Sequence, residues 1–140
     1  MIKFIKLLLV FSWMAVIFIS SSVSFPEEDP NYVKNAYDYI FDKDVHILLF
    51  GILAYLVIHF LVEYKLKFLK FFLIVVTIGF LYGITDEWHQ SFVLGRGVSV
   101  WDLVFDVIGS ILGFLVYRGW HVIKKKRGWH ARKIHIKGIL

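Results

Sequence analysis

The sequence predicts an all-α membrane protein, a four transmembrane helix bundle with both termini cytoplasmic. Hydrophobic residues make up 59% of the 140 residues and aromatic residues 19%, which exceeds the share found in soluble domains. The apolar residues form four runs, each about long enough to cross a ~30 Å hydrocarbon core as a helix. These runs cover residues 4–21, 46–62, 68–85 and 100–120. The length allows a single domain, and a chain without cysteine has neither disulfides nor thiolate metal sites.

The first run has two interpretations. Lys3 and Lys6 precede its apolar stretch, and Ser22-Val23-Ser24 resembles a cleavage site, which together form the layout of a signal peptide. We expect the run to be retained as the first helix, because a three-helix bundle would shield less of the polar cluster described below. N-terminal sequencing of the mature protein distinguishes the two.

The second run opens with a polar face. Lys43 and His46 are three positions apart, and Asp42 and His46 are four apart, so their side chains are neighbours on a helix. His59, near the other end of the run, has only Glu63 as an acidic neighbour in sequence, and we expect a structural role for it.

The third run carries small and polar residues at steps of three or four: Gly79, Gly83, Asp86 or Glu87, and Gln90. This spacing places them in one stripe along a helix. Glycines four apart let helix backbones approach closely in lipid, so the acids on the same stripe are expected to face into the bundle. His89 lies beside Trp88 and is expected to be an interfacial residue.

The fourth run repeats the pattern with Asp102, Asp106, Gly109 and Gly113. Asp106 lies one turn deeper than Asp102, roughly 6 Å at 1.5 Å per residue, which makes it the most costly charge in the chain. Residues 121–140 are predicted to form a basic cytoplasmic tail that either lies against anionic headgroups or only sets the topology. The net charge of +5 therefore does not indicate a nucleic-acid partner.

The basic residues set the orientation. The N-terminus, the second connection and the segment from Arg118 onward hold 13 of the 16 lysines and arginines. Lys34, Lys43 and Arg96 are the three on the other side. The positive-inside rule therefore places both termini in the cytoplasm and the polar helix ends at the outer face.

The candidate ligand-binding residues meet at this outer boundary: Lys43, His46, Asp86, Glu87, Gln90, Arg96, Asp102 and Asp106. Charge at the edge of hydrocarbon is costly, so such a cluster is expected to be paired or functional. The glycines flanking Arg96 allow that side chain to fold back over the cluster. The alternative is a buried ion network with neither ligand nor chemistry.

Two functions fit the cluster. In a binding protein, Arg96 and Lys43 would contact a phosphate or carboxylate of a lipid or lipid-anchored ligand, while the acids hold the arginine or bind an amine. In an enzyme, the catalytic candidates are His46 as general base, oriented by Asp42 or Asp102, and Glu87 or Asp86 as acid. A transporter is less favoured because no polar trail crosses the bundle.

The polar motifs together resemble the VanZ-like family: Asp42-Lys43-x-x-His46, Asp86-Glu87-x-His89-Gln90, Gly95-Arg96 and Asp102-x-x-x-Asp106-x-x-Gly109. The resemblance extends to about Tyr117 and implies a VanZ-like transmembrane domain over residues 1–120, in the bacterial plasma membrane. The family's founding member is associated with resistance to the glycopeptide teicoplanin, and the family implies no reaction. Leu94 and Ser22 depart from the family pattern, which commonly has proline and glutamine there, and this weakens the link to drug resistance.

The partners expected from these features are membrane lipids and a lipid-anchored ligand or glycopeptide. No cofactor and no metal are predicted, because the chain has no ligand pair of the HExxH kind. The alternative is a divalent metal held by His46 with Asp86, Glu87 or Asp102. The helix faces that carry the glycines could also pack against a second copy of the chain. A homo-oligomer is therefore an alternative to helix packing within one chain.

Overall fold

The computed structural model describes residues 1–23, 36–94 and 96–137, with side chains described as far as Lys125, apart from that of Ala36. It contains the helices α1 (Ile2–Ser21), α2 (Ala36–Leu61), α3 (Phe68–Gln90) and α4 (Val100–Lys137). A 3-10 turn, Val62–Tyr64, follows α2. Four segments are long and apolar enough to cross a membrane, and the described residues include no strand. The predicted fold class, an all-α bundle of four membrane-spanning helices, is confirmed.

The helices are longer than the apolar runs from which they were predicted. α2 begins at Ala36 rather than at residue 46, and α3 continues past residue 85 to Gln90. α4 begins at Val100 as predicted but continues beyond residue 120 to Lys137. Hydropathy marks the part of a helix that suits hydrocarbon, whereas the helix itself ends where its backbone hydrogen bonds end. The polar residues of α2 and α3 consequently lie on helix rather than on loops.

Glycines bring α2 and α4 into close contact. A Cβ at Gly109 would collide with the backbone of Ile47, and one at Gly113 would collide with the carbonyl of Gly51. α3 approaches α4 in the same way, because a Cβ at Gly79 would overlap the side chain of Ser110. Helix pairs in lipid rely on such small residues for van der Waals contact. The glycine stripes of α3 and α4 are thus used for packing within one chain.

An apolar core fills the middle of the bundle. Phe50, Ile58 and Phe114 are among its most deeply buried side chains, and the Phe114 ring meets the rings of Phe71 and Phe72 edge-on. Most of the remaining apolar residues point outward and are exposed, as expected for helices whose outer surface faces lipid.

Two hydrogen bonds attach the middle of α1 to α2 and α3. The Trp13 indole N–H donates to the carbonyl of Leu49 on α2 at 2.9 Å. The Tyr82 hydroxyl on α3 donates to the carbonyl of Met14 at 2.5 Å. Both bonds satisfy polar groups that hydrocarbon would leave unpaired, so α1 packs as an integral part of the bundle.

The two ends of the bundle differ in chemistry. At one end, here called the basic end, Lys6 on α1 pairs with Glu63 after α2 at 2.5 Å, and the Arg118 guanidinium lies 5.2 Å from the ring centroid of Phe68. The start of α1, the α2–α3 connection and α4 from Arg118 onward therefore share this end. His59 lies toward it, among the rings of Tyr55 and Tyr117, which fits the structural role expected for it. The opposite end, here called the polar end, carries the predicted cluster.

Candidate functional site

Seven of the eight predicted site residues lie buried together at the polar end. They come from three helices, and each is at most 6% exposed: Lys43, His46, Asp86, Glu87, Gln90, Asp102 and Asp106. The eighth, Arg96, lies on the α3–α4 connection with its side chain 23% exposed. The predicted residues are therefore brought together, with Arg96 at the edge of the cluster.

Lys43 joins α2 to α4. Its ammonium group donates to Asp42 Oδ2 at 2.9 Å and also to Asp102 Oδ1 across the helix contact. The two carboxylates neutralise the ammonium and satisfy two of its three donors. Lys43 is thus committed to acids of its own chain, and the expected contact of this lysine with a ligand phosphate is not supported by the geometry.

His46 is held between the two acids of α4. Its Nδ1 lies 2.8 Å from Asp106 Oδ1, and its Nε2 lies 3.6 Å from Asp102 Oδ2. The carboxylate within hydrogen-bond distance is therefore Asp106, whereas the sequence suggested Asp42 or Asp102. The reason is helical geometry, because Asp106 is one turn deeper in α4 and reaches the level of His46. An Nδ1–H bonded to a carboxylate fixes the tautomer and the orientation of the imidazole.

Glu87 anchors the start of α4. Its Oε2 accepts a hydrogen bond from the Ser99 backbone N–H at 2.7 Å, and the Ser99 hydroxyl accepts one from the N–H of Asp102 at 3.4 Å. These are the unpaired N–H groups that every helix start presents. The sequence analysis did not identify Ser99, although the pattern Ser99-x-x-Asp102 before an apolar run is a recognisable capping signal.

Arg96 folds back over the polar end, as its flanking glycines allow. Its Nε and Nη2 donate to the carbonyl of Val23 after α1, at 3.3 and 3.1 Å, and its Nη1 lies 3.6 Å from Asp42 Oδ1. Gly95 lies outside the described residues. Arg96 therefore links the α3–α4 connection to α1 and α2, and it contacts the partly exposed Asp42 rather than the buried acids.

His89 has a partner that the sequence did not reveal. Its Nε2 lies 2.8 Å from the Ser22 hydroxyl, and its ring stacks on Phe18 with 3.8 Å between ring centroids. The residue expected to be interfacial thus connects α3 to the end of α1. Ser22 is one of the two positions that depart from the VanZ-like pattern, and here it supplies this contact.

Several buried acceptors at the polar end have no partner. Within the described part of the chain, five buried side-chain atoms have no hydrogen bond: Asp86 Oδ1, Glu87 Oε1, Gln90 Oε1, Asp106 Oδ2 and Ser110 Oγ. Gln90 uses its amide N–H to donate to Asp86 Oδ2 at 2.9 Å, which leaves oxygen atoms free on both residues. Carboxylate and amide oxygens accept hydrogen bonds and do not donate them. The four carboxylate and amide oxygens of this set therefore require a donor, whereas the Ser110 hydroxyl has a hydrogen of its own.

The buried charges at this end do not balance. Among the described residues the buried acids here are Asp86, Glu87, Asp102 and Asp106, against the bases Lys43 and His46. Asp42 and Arg96 add one charge of each sign at the edge. The cluster therefore has more carboxyl groups than basic groups, and unpaired charge in a low-dielectric setting is costly.

A small cavity of about 40 Å³ opens beside these acceptors. Asp86 and Gln90 from α3 line it together with His46 from α2, Ser21 from α1 and Arg96. A single water occupies roughly 10–15 Å³ on such a measure. The cavity thus has room for a water molecule or a group the size of an ammonium ion.

Three ligand atoms at the polar end lie at distances that suit a metal ion. Asp42, His46 and Asp102 each offer one such atom, all within 4.8 Å of one another. The Lys43 ammonium donates to both of these acids and supplies the positive charge that a metal would bring. In this structure the Lys43 ammonium therefore bridges the carboxylates of Asp42 and Asp102.

A comparison with protein-family models matches the chain to the VanZ/LLP1 model over residues 5–124. No curated protein and no solved structure matches the chain. The matched region covers the four membrane-spanning segments from Ile5 to Lys124 and every residue of the polar cluster. The chain is a multi-pass membrane protein, and it belongs to the VanZ/LLP1 family.

Proposed function

We propose that the polar end is a binding site for the amine-bearing head of a lipid or lipid-anchored ligand, and that the protein acts by binding rather than by catalysis. The observation that carries this proposal is the set of buried acceptor atoms without partners in an acid-rich cluster. A protonated amine in the cavity supplies donors to Asp86 and Gln90, the two of these residues that line it, and it adds a positive charge.

The cavity suits an ammonium group in size and in chemistry. Its volume of about 40 Å³ accommodates a single small group, and an ammonium has three N–H donors. Asp86 Oδ1 and Gln90 Oε1 are free acceptors on residues that line it. Hydrogen bonds between a charged amine and a carboxylate are about twice as strong as neutral ones.

Arg96 suits an acidic group that lies next to the amine in such a head group. A guanidinium has five N–H donors, and the contacts with Val23 and Asp42 leave donors available. Its partly exposed position beside the cavity fits a phosphate or carboxylate next to the bound amine. The favoured ligand is therefore a head group that carries an amine and an acid together, such as a phosphoethanolamine.

The cellular setting follows from the charge pattern and the family. We propose that the polar end faces outward from a bacterial plasma membrane, and that the site engages lipids or lipid-anchored molecules there. A lipoglycopeptide such as teicoplanin carries a fatty-acyl chain, so occupation of this site would alter how the drug anchors, and thereby the cell's susceptibility.

Asp86→Asn tests the proposal with little change of shape. We expect the purified variant to bind phosphatidylethanolamine at least about tenfold more weakly than the original chain, since a charge-assisted hydrogen bond contributes about 1.5–3 kcal/mol. Binding is measured by native mass spectrometry in detergent. N-acylated phosphatidylethanolamine has no ammonium group, so its binding is expected to be the same in Asp86→Asn and in the original chain.

Glu63→Gln is the matched control, because it removes one negative charge from the basic end. It should bind phosphatidylethanolamine as the original chain does. Equal binding by Asp86→Asn and the original chain, with thermal unfolding showing both folded, rules the amine site out.

The second candidate is a membrane enzyme that acts on a lipid or cell-wall precursor, and the observation favouring it is the 2.8 Å contact between His46 and Asp106. An imidazole oriented by a carboxylate is the usual arrangement for proton transfer. Mass analysis of the lipid recovered from the binding assay distinguishes the two functions. Chemically altered lipid that disappears with His46→Gln would replace the binding proposal with catalysis, and unchanged lipid contradicts the enzyme.

A further inference from the structure

A second and larger cavity lies at the basic end, away from the polar cluster. Its volume is about 620 Å³, and it is bounded by the α2–α3 connection, the start of α3 and the part of α4 from Phe114 to Lys125. Cavities of this size are in the range that holds a drug-sized molecule. Nothing in the proposed function uses it.

One wall of this cavity is apolar and well packed. Phe68, Phe71 and Phe114 line it, and the Phe114 ring meets the other two edge-on at 5.7 and 5.6 Å between ring centroids. Phe114 is only 2% exposed, so its ring is fixed by its neighbours. This wall offers a preformed surface for a hydrocarbon chain.

The rest of the lining is cationic. Arg118, Lys124 and Lys125 line the cavity together with His121. No acid is among the lining residues in the described part of the chain. Glu63 lies at the same end but is already paired with Lys6 at 2.5 Å and with Lys3 at 3.8 Å. The cavity therefore combines an apolar wall with uncompensated positive charge.

We propose that this cavity binds one anionic phospholipid. Arg118, Lys124 and Lys125 contact the phosphate and the acidic head group, and an acyl chain lies against the phenylalanine wall. Basic pockets between membrane helices are suited to anionic head groups because each lysine or arginine near the membrane surface adds attraction for acidic lipid. The site is independent of the polar end and of the amine proposed to bind there.

The charge and the apolar wall of the cavity favour an anionic phospholipid over inorganic phosphate and over a zwitterionic lipid. An inorganic phosphate would satisfy the cations but would leave the apolar wall uncovered. A zwitterionic lipid carries an amine that the cationic lining disfavours. A phospholipid with net negative charge satisfies both parts of the cavity.

The test compares two triple variants of the full chain that lose the same charge from the same end. One is Arg118→Gln with Lys124→Gln and Lys125→Gln, inside the cavity. The other is Lys65→Gln with Lys67→Gln and Lys70→Gln, none of which lines it. Each protein is mixed with phosphatidylglycerol or with phosphatidylcholine in detergent, and bound lipid is measured by native mass spectrometry.

We expect the original chain to prefer phosphatidylglycerol, and the cavity variant to lose about a hundredfold in affinity for it, as three basic contacts imply. The control variant should stay within about threefold of the original chain, since screening weakens charges outside the site. Equal losses in the two variants would show a general surface attraction and would overturn the proposal.

Val122→Trp tests the apolar part without a change of charge. Val122 lines the cavity and is 42% exposed, so a larger side chain there fills space without disturbing the core. We expect this variant to lose phosphatidylglycerol binding and to keep its unfolding temperature. Undiminished lipid binding, or complete displacement of the lipid by millimolar inorganic phosphate, would overturn the acyl-chain contact and with it the proposal.

Discussion

At the scale of single residues, the polar end is organised by Lys43. One ammonium group holds Asp42 on its own helix and Asp102 on α4, where the side chains of Lys43 and Asp102 are 8% and 5% exposed. A buried pair of this kind contributes little net stability relative to apolar residues. Removing one partner is strongly destabilising, because the remaining charge is then buried without a counter-charge.

Lys43→Met is therefore expected to lower the free energy of unfolding by about 3–5 kcal/mol. Lys6→Met is the control, since Lys6 is paired with Glu63 at a partly exposed site and its loss should cost about 1 kcal/mol or less. Both values come from unfolding in mixed detergent. The pair Lys43→Met with Asp102→Leu should recover much of the loss, and a single variant as stable as Lys6→Met would contradict this account.

At the scale of helices, α2 and α4 form the closest pair, and glycines set their distance. The backbone of Ile47 lies where a Cβ of Gly109 would be, and the carbonyl of Gly51 lies where one of Gly113 would be. The same contact brings Lys43 and His46 within reach of Asp102 and Asp106. Helix packing and site geometry therefore depend on the same residues.

Gly109→Ala is expected to push α2 and α4 apart and to destabilise the bundle by about 1–3 kcal/mol, as overpacking usually does. Gly119→Ala on the same helix is the matched control, because nothing lies within 4 Å of a Cβ there. It should be neutral or slightly stabilising, since alanine favours helix over glycine. Thermal unfolding in detergent measures both. If the two variants unfold at the same temperature, the close contact at Gly109 is not what holds the helices together.

At the scale of the whole molecule, the bundle separates two kinds of charge. Apart from Glu63, the acids of the described residues lie at the polar end, and the lysines and arginines of the α2–α3 connection and of α4 lie at the basic end. An apolar core lies between them. The positive-inside rule uses the lysine and arginine part of this asymmetry to orient a membrane protein.

Cysteine labelling in intact cells tests the orientation, and the chain has no native cysteine to interfere. Val98→Cys places a thiol on the exposed connection at the polar end, and Lys67→Cys places one at the basic end. A membrane-impermeant maleimide should label the first in intact cells and the second only after permeabilisation. The reverse pattern would place the polar end in the cytoplasm and contradict the predicted topology.

The sequence by itself determined the class of the protein and the members of the cluster. Four long apolar runs require helices, because no other open backbone structure satisfies its polar groups in lipid. Polar residues at helical spacing share one face of their helix. The faces of α3 and α4 that carry Asp86, Gln90, Asp102 and Asp106 are buried at one end of the bundle. Spacing along a helix is a local property, so it can be predicted from one sequence.

Only the tertiary structure decided which residues pair with which. His46 meets Asp106 rather than Asp42, Lys43 is bound by its own acids, and Arg96 contacts Val23 and Asp42 at the edge. These pairings depend on the distance between helices and on their offset along the helix axis. Side-chain packing sets both quantities, and they cannot be predicted from residue spacing within one helix. The same packing leaves acceptors on Asp86 and Gln90 without partners, which no spacing within one helix predicts.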